Sequence, residues 1–141
     1  MSWLTKKSVL VPIELDEKSY DAIAPAREFV ETESSLKLIH VLTPLHPADP
    51  AAMWNTLADR QRKQKVTDFL AQKLGEMGYK EVQIEVKIGD ASTEIIDYAK
   101  DNEIELVVLH SHCRKGVSRF LIGSVAERVV RLSPCPVLVL K

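Results

Sequence analysis

Short apolar blocks alternate along the chain with longer stretches whose apolar residues recur every three or four positions, the pattern of strands separated by helices. The blocks lie at residues 9–13, 36–42, 82–88, 106–109 and 137–140. Val9-Leu10-Val11 and Leu106-Val107-Val108-Leu109 are apolar at every position, as expected of parallel strands covered on both faces. Residues 82–88 instead alternate, with Gln83, Glu85 and Lys87 as the polar set, which predicts an edge strand with one wetter face. Trp54, Leu57, Ala58, Val66, Phe69, Leu70, Leu74 and Met77 mark the inward stripe of a long helix that Gly75 and Gly78 end. After Gly89, Asp90 is the predicted N-cap of a helix that turns Ile95, Ile96 and Ala99 inward. A further helix over residues 17–31 contains Pro25, which removes one backbone bond and is expected to kink it. Residues 43–50, with three prolines and His46, read as a loop.

This order predicts an α/β fold: a three-layer sandwich around a five-stranded parallel sheet, with strand order 3-2-1-4-5. Strands one, two and three run outward in one direction, and the chain then returns to place strand four on the free side of strand one. The reversal creates a topological switch point, where open α/β sheets bind ligands at the carboxyl ends of their strands. Those ends lead into Glu14-Leu15-Asp16 and into His110-Ser111-His112-Cys113-Arg114-Lys115-Gly116.

Composition narrows the function classes. The 141 residues suit one domain, taken as residues 1–141, and 45% apolar content supports a sizeable core and excludes disorder. Twenty acidic residues against nineteen Lys plus Arg leave a formal charge of −1, with no massed basic stretch, which argues against nucleic acid as a partner. The first residues lack the apolar run of a secretory leader, and no block approaches the ~20 residues needed to cross a bilayer. The expected location is the cytoplasm, with no membrane partner and with Cys113 and Cys135 reduced.

Common catalytic motifs are absent: there is no phosphate-loop Lys-Ser/Thr pattern, no Gly-x-Gly-x-x-Gly, no His-Glu-x-x-His and no Gly-x-Ser-x-Gly. Among metal-ligating types, His110, His112 and Cys113 fall within four residues, with His40 or His46 as a further ligand, but the spacing matches no established zinc site. Arg114 beside Cys113 would favour a thiolate, so a metal or redox sensor is a distant alternative.

Residues 110–140 carry a more specific signal. They include Gly123-Ser124-Val125-Ala126-Glu127-Arg128-Val129, then Pro134-Cys135-Pro136 before the last apolar block; Val9-Leu10-Val11-Pro12-Ile13-Glu14 and His40-Val41 complete the set. Together they resemble the universal stress protein family over the whole chain. The resemblance implies an adenine-nucleotide α-hydrolase-like fold, a stress-response role without efficient catalysis, and a homodimer formed through Val137, Leu138, Val139 and Leu140. The last strand is apolar on both faces, so a bare edge there would invite aggregation.

Some family members bind ATP through a glycine loop and others do not. Glycines let backbone N–H groups approach phosphates, and a helix N-terminus adds partial positive charge. Here Gly123 and Ser124 remain, whereas His110 and Cys113 occupy the two earlier glycine positions. Glu14 stands where the family has an adenine-facing Asp, and Leu15-Asp16 replace the usual Gly-Ser. A side chain at 110 or 113 disfavours positive φ and takes up space, and Asp16 adds negative charge near the phosphate path. Arg114, Lys115 and Arg119 offer compensating cations. The implied site for ATP or another adenine nucleotide, with Mg, comprises Pro12, Ile13, Glu14, Val41, His110, Ser111, His112, Arg114, Gly116, Gly123, Ser124 and Val125. Ser124 has two readings: a phosphate ligand, or the N-cap of a Ser124-x-x-Glu127 capping box. A protein-interaction dimer that binds no nucleotide is the alternative function.

Overall fold

The structure, a computed structural model, describes residues 3–45, 48, 55–111 and 123–141, with side chains in the long helix described from Ala58 onward. Five strands, β1 (Val9–Pro12), β2 (Leu36–Leu42), β3 (Gln83–Ile88), β4 (Leu106–His110) and β5 (Val137–Leu140), form one sheet in the order β3-β2-β1-β4-β5. Every pairing is parallel, with β1 central: Val9 lies opposite Leu36 on one side and Leu106 on the other. The expected strand order and edge position of β3 are therefore present.

Strand texture explains the layering. Side chains alternate between faces, so a strand buried on both sides needs apolar residues at every position. Val9, Val11, Leu36, Leu38, Leu106 and Val108 pack on one face with Tyr20, Ile23, Ala26, Leu70 and Leu74. Leu10, Ile39, Val107 and Leu109 pack on the other with Ile95, Ala99, Ala126 and Val129. The first group of helical residues comes from a 3-10 turn (Ser19–Ala22), α1 (Ile23–Arg27) and α2 (Asn55–Glu76). The second comes from α3 (Ala91–Asp101) and α4 (Ser124–Leu132).

Three expectations change. The helix expected over residues 17–31 is the 3-10 turn followed by the five-residue α1, with Pro25 in the first turn of α1. There the missing proline N–H costs no intrahelical bond, so Pro25 helps start a helix and does not kink one. In α2, Leu70 and Leu74 are buried, but Phe69 is 52% exposed and Met77 38% exposed, so neither belongs to the inward stripe. Trp54 lies outside the described residues, as does the side chain of Leu57. Finally, Gly75 lies within the last turn of α2, and Gly78 ends it with φ +90°. Tyr79 N–H donates to Leu74 O at 2.9 Å and Gly78 N–H to Gly75 O at 3.1 Å, a glycine-requiring stop that turns the chain towards β3.

Candidate functional site

The C-terminal ends of β1, β2 and β4 open into a cleft of about 1070 Å³, closed on one side by the first turns of α3 and α4. It lies at the β1–β4 switch point, because those neighbouring strands send their chains to opposite sides of the sheet. Its inner surface includes the apolar residues Ile13, Ile39, Val41, Ile95, Leu109 and Ala126.

Side-chain bonds shape the loop after β1. Asp16 Oδ1 accepts from Ser19 N–H at 3.0 Å, and the buried Ser19 Oγ accepts from Glu14 N–H at 2.9 Å. This is the turn chemistry favoured by Asp and Ser, and it folds the loop back on itself. The neighbouring wall is fixed from β2: Ile13 N–H donates to Ile39 O at 2.9 Å, and His40 Nδ1 donates to Ile13 O at 2.8 Å. A carbonyl can only accept, so the Nδ1 proton is assigned by this contact; in the neutral ring Nε2 is then an acceptor.

The opposite wall is the start of α4. Gly123 is its N-cap, with φ −57° and ψ 152°, and no side chain among the described residues caps the helix. The first intrahelical bond runs from Glu127 N–H to Gly123 O at 2.9 Å. Ser124, Val125 and Ala126 therefore precede that bond, and their N–H groups stand at the positive end of the helix dipole. The expected capping box is displaced: Ser124 is the first helical residue, not the cap, and the Glu127 carboxylate pairs with Arg131 Nε at 3.5 Å.

α3 and α4 are tied together beside the cleft. The predicted N-cap Asp90 accepts from Thr93 N–H at 3.1 Å, Thr93 Oγ1 at 2.8 Å and Ser92 Oγ at 2.9 Å. Arg128 Nη1 on α4 reaches Asp90 Oδ2 and Ser92 Oγ, each at 3.1 Å. The hydrogen bonds from Thr93, followed by that from Ser92 and the charge of Arg128, hold the Asp90 carboxyl below its usual range. On the far side, Ser111 N–H donates to Leu140 O at 2.7 Å, tying the end of β4 to the end of β5.

Of the residues named from sequence, Pro12, Ile13, Glu14, Val41, His110, Gly123, Ser124 and Val125 line the cleft. Ser111 is buried and is not part of that lining. His112, Cys113, Arg114, Lys115, Gly116, Arg119 and His46 lie outside the described residues. His110 closes β4, and Glu103 is the only non-glycine with positive φ among the described residues, so a side chain at 110 brings no backbone strain. Among the described residues no cluster of three or more His, Cys, Asp or Glu is placed to hold a metal, and no helix is long and apolar enough to cross a membrane. Sequence reasoning missed Ala91, Ile95 and Ser19 as cleft residues. The Asp16-x-x-Ser19 spacing signals the Ser19 turn, and the Asp90 cap places the start of α3, and so Ala91, next to the strand ends.

Similarity to known proteins agrees with this geometry. The family model described as "Universal stress protein family" matches residues 6–141. A Methanocaldococcus jannaschii universal stress protein is 27% identical over 96% of this chain and 82% of its own length. A Bacillus subtilis universal stress protein is 32% identical over 82% of this chain and 74% of its own. The structure of the Lactobacillus plantarum universal stress protein superposes with a TM-score of 0.75, at 24% identity, over the whole of both chains. Two solved relatives hold adenine nucleotides. One, a universal stress protein in complex with cAMP, gives a TM-score of 0.58 at 20% identity, covering 97% of this chain and 98% of its own. The other, from Arabidopsis thaliana with AMP bound, gives 0.59 at 19% identity, covering 96% and 91%. With a family match across nearly its whole length and the family's sheet order around a switch-point cleft, the chain belongs to the universal stress protein family.

Proposed function

We propose that this chain is a cytoplasmic, homodimeric stress-response module whose cleft takes an adenine nucleotide and that acts by binding, without efficient hydrolysis. The observation carrying this reading is the start of α4, which no side chain among the described residues caps and which lines a cleft with an apolar interior. A base fits among Ile13, Ile39, Val41 and Ile95, within reach of acceptors on Glu14 and His40. A phosphate, with any Mg the nucleotide carries, fits the N–H groups of Ser124 and Val125 beside Gly123. The relatives that hold cAMP and AMP support the ligand class.

Association through β5 completes the proposal. All four β5 residues are half-buried in the single chain, and Val130 and Leu132 on α4 are 46% and 50% exposed. A second copy pairing strand to strand about a two-fold axis would cover this edge. The same surface favours a second reading, a protein-interaction dimer whose cleft binds no nucleotide. Titration calorimetry with ATP, ADP and AMP in the presence of Mg²⁺ separates the two. Binding heat with at least one of them is expected; no heat and no thermal shift at millimolar nucleotide leaves the second reading.

A further inference from the structure

We propose that His40 reads the base: its Nε2 accepts from the exocyclic amine of adenine, so the cleft favours AMP over IMP, which carries a carbonyl at that position. The inference rests on the nucleotide reading above. His40 is half-buried at the end of β2 and lines the cleft. Its ring is held from β1, because Nδ1 donates to Ile13 O at 2.8 Å and Ile13 N–H is itself bound to Ile39 O at 2.9 Å. One tautomer follows, with the lone pair of the neutral ring on Nε2. Among the described residues Nε2 has no hydrogen-bond partner. Unlike the Tyr20 hydroxyl and Ser111 Oγ, which are buried without a partner, it is not enclosed, so a ligand in the cleft can reach it.

Topology decides which end of a nucleotide meets this acceptor. The start of α4, where a phosphate fits, belongs to a helix that lies against β5, whereas His40 is on β2, with β1 and β4 between. Neighbouring strands are about 4.8 Å apart, so β2 stands roughly 10 Å from β4. A mononucleotide with its phosphate at α4 therefore directs its base, not its ribose, towards His40. There the fixed lone pair discriminates by what it leaves unpaired. An amine donates to it; a carbonyl sets a second lone pair against it in a wall otherwise lined by Ile39 and Val41. The ring cannot turn to offer a donor without giving up its bond to Ile13 O.

The test compares AMP, 2′-deoxy-AMP and IMP by titration calorimetry at about pH 8. Wild type should bind AMP and 2′-deoxy-AMP alike, and both about tenfold or more tightly than IMP. His40→Asn puts an amide N–H where Nδ1 stood, which keeps the bond to Ile13 O, and holds nothing at the place of Nε2. It should weaken AMP about tenfold and bring AMP and IMP to within about threefold of each other. A second measurement needs no variant to fold: in wild type with ¹⁵N-labelled histidine, the unprotonated ring nitrogen of His40 should shift when AMP is added and stay in place with IMP. Equal wild-type affinity for AMP and IMP, a ratio unmoved by His40→Asn, or a nitrogen that AMP does not shift overturns the role of His40 while the nucleotide reading stands. A loss with 2′-deoxy-AMP in place of that with IMP would give the acceptor to the ribose and overturn it equally. If none of the three ligands binds, the nucleotide reading itself fails and the inference fails with it.

Discussion

Strands β3 and β5 are the two edges of one parallel sheet, yet β3 carries Gln83, Glu85 and Lys87 within six residues while all four residues of β5 are apolar. On β3, Lys87 pairs with Glu85 at 3.4 Å and its ammonium lies 5.9 Å from the centre of the Tyr98 ring. Charged side chains on an edge oppose the approach of another strand. β5 has no such guard, and the apolar surface continues onto Val130 and Leu132 of α4. The contrast is that one edge carries charged side chains that discourage pairing, whereas the other is apolar and is the edge that the proposed second copy would cover.

The largest effect should come from giving β5 the character of β3. Val139→Lys puts a charge on the edge, and dimer dissociation should strengthen by about a hundredfold or more, because a lysine in a strand-pairing seam must be buried or must break it. Light scattering at micromolar concentration should then give a monomer mass where wild type gives a dimer. A wild-type monomer would remove the dimer and the contrast with it.

The reverse exchange should be milder. Glu85→Val with Lys87→Val makes β3 resemble β5; stability should move by no more than about 0.5 kcal/mol, since both residues are partly exposed. Size-exclusion profiles should nevertheless show species larger than the dimer, and an unchanged profile would mean that these charges do not guard the edge.

The smallest effect concerns the tie between two helices on one face of the sheet, the Arg128–Asp90 pair joining α4 to the start of α3. The folded state holds the Asp90 carboxyl below its ordinary value. Its contribution is therefore complete above the unfolded carboxylate value of about 3.9 and is lost as pH falls through the lower folded value. Asp90→Asn should lower the melting temperature slightly at pH 7, and the difference should close as the pH falls below the unfolded carboxylate range. A gap that persists in acid would show that the carboxylate charge is not its source.

Most of the sheet was legible because burial leaves a signature. Unbroken apolar blocks mark β1 and β4 as central, and the alternation of Gln83, Glu85 and Lys87 marks β3 as an edge. Helix limits were less legible. Pro25 reads as a kink only if the helix begins well before it, and spacing alone does not reveal that residues 19–22 form a 3-10 turn. Phe69 and Met77 fit the apolar period of α2, but period counts residues and not what stands opposite them, so the side facing solvent looked the same as the side facing β3. At the site, β-strand ends and Gly123 were identifiable by motif. The one-residue shift of the α4 cap was not, because Gly123 and Ser124 are both good caps and only backbone geometry decides between them.

The bond from Ser111 N–H to Leu140 O, with His110 directly opposite Leu140 in the register, makes β4 a party wall. On one side stands the cleft that His110 lines; on the other, a single strand away, stands the open edge of the molecule. Thermodynamic linkage then sets a strict reciprocity across it. Whatever factor an occupant of the cleft adds to the association of two chains, association must return to the occupant's affinity, so a change in protein concentration would be as effective a signal as a change in ligand.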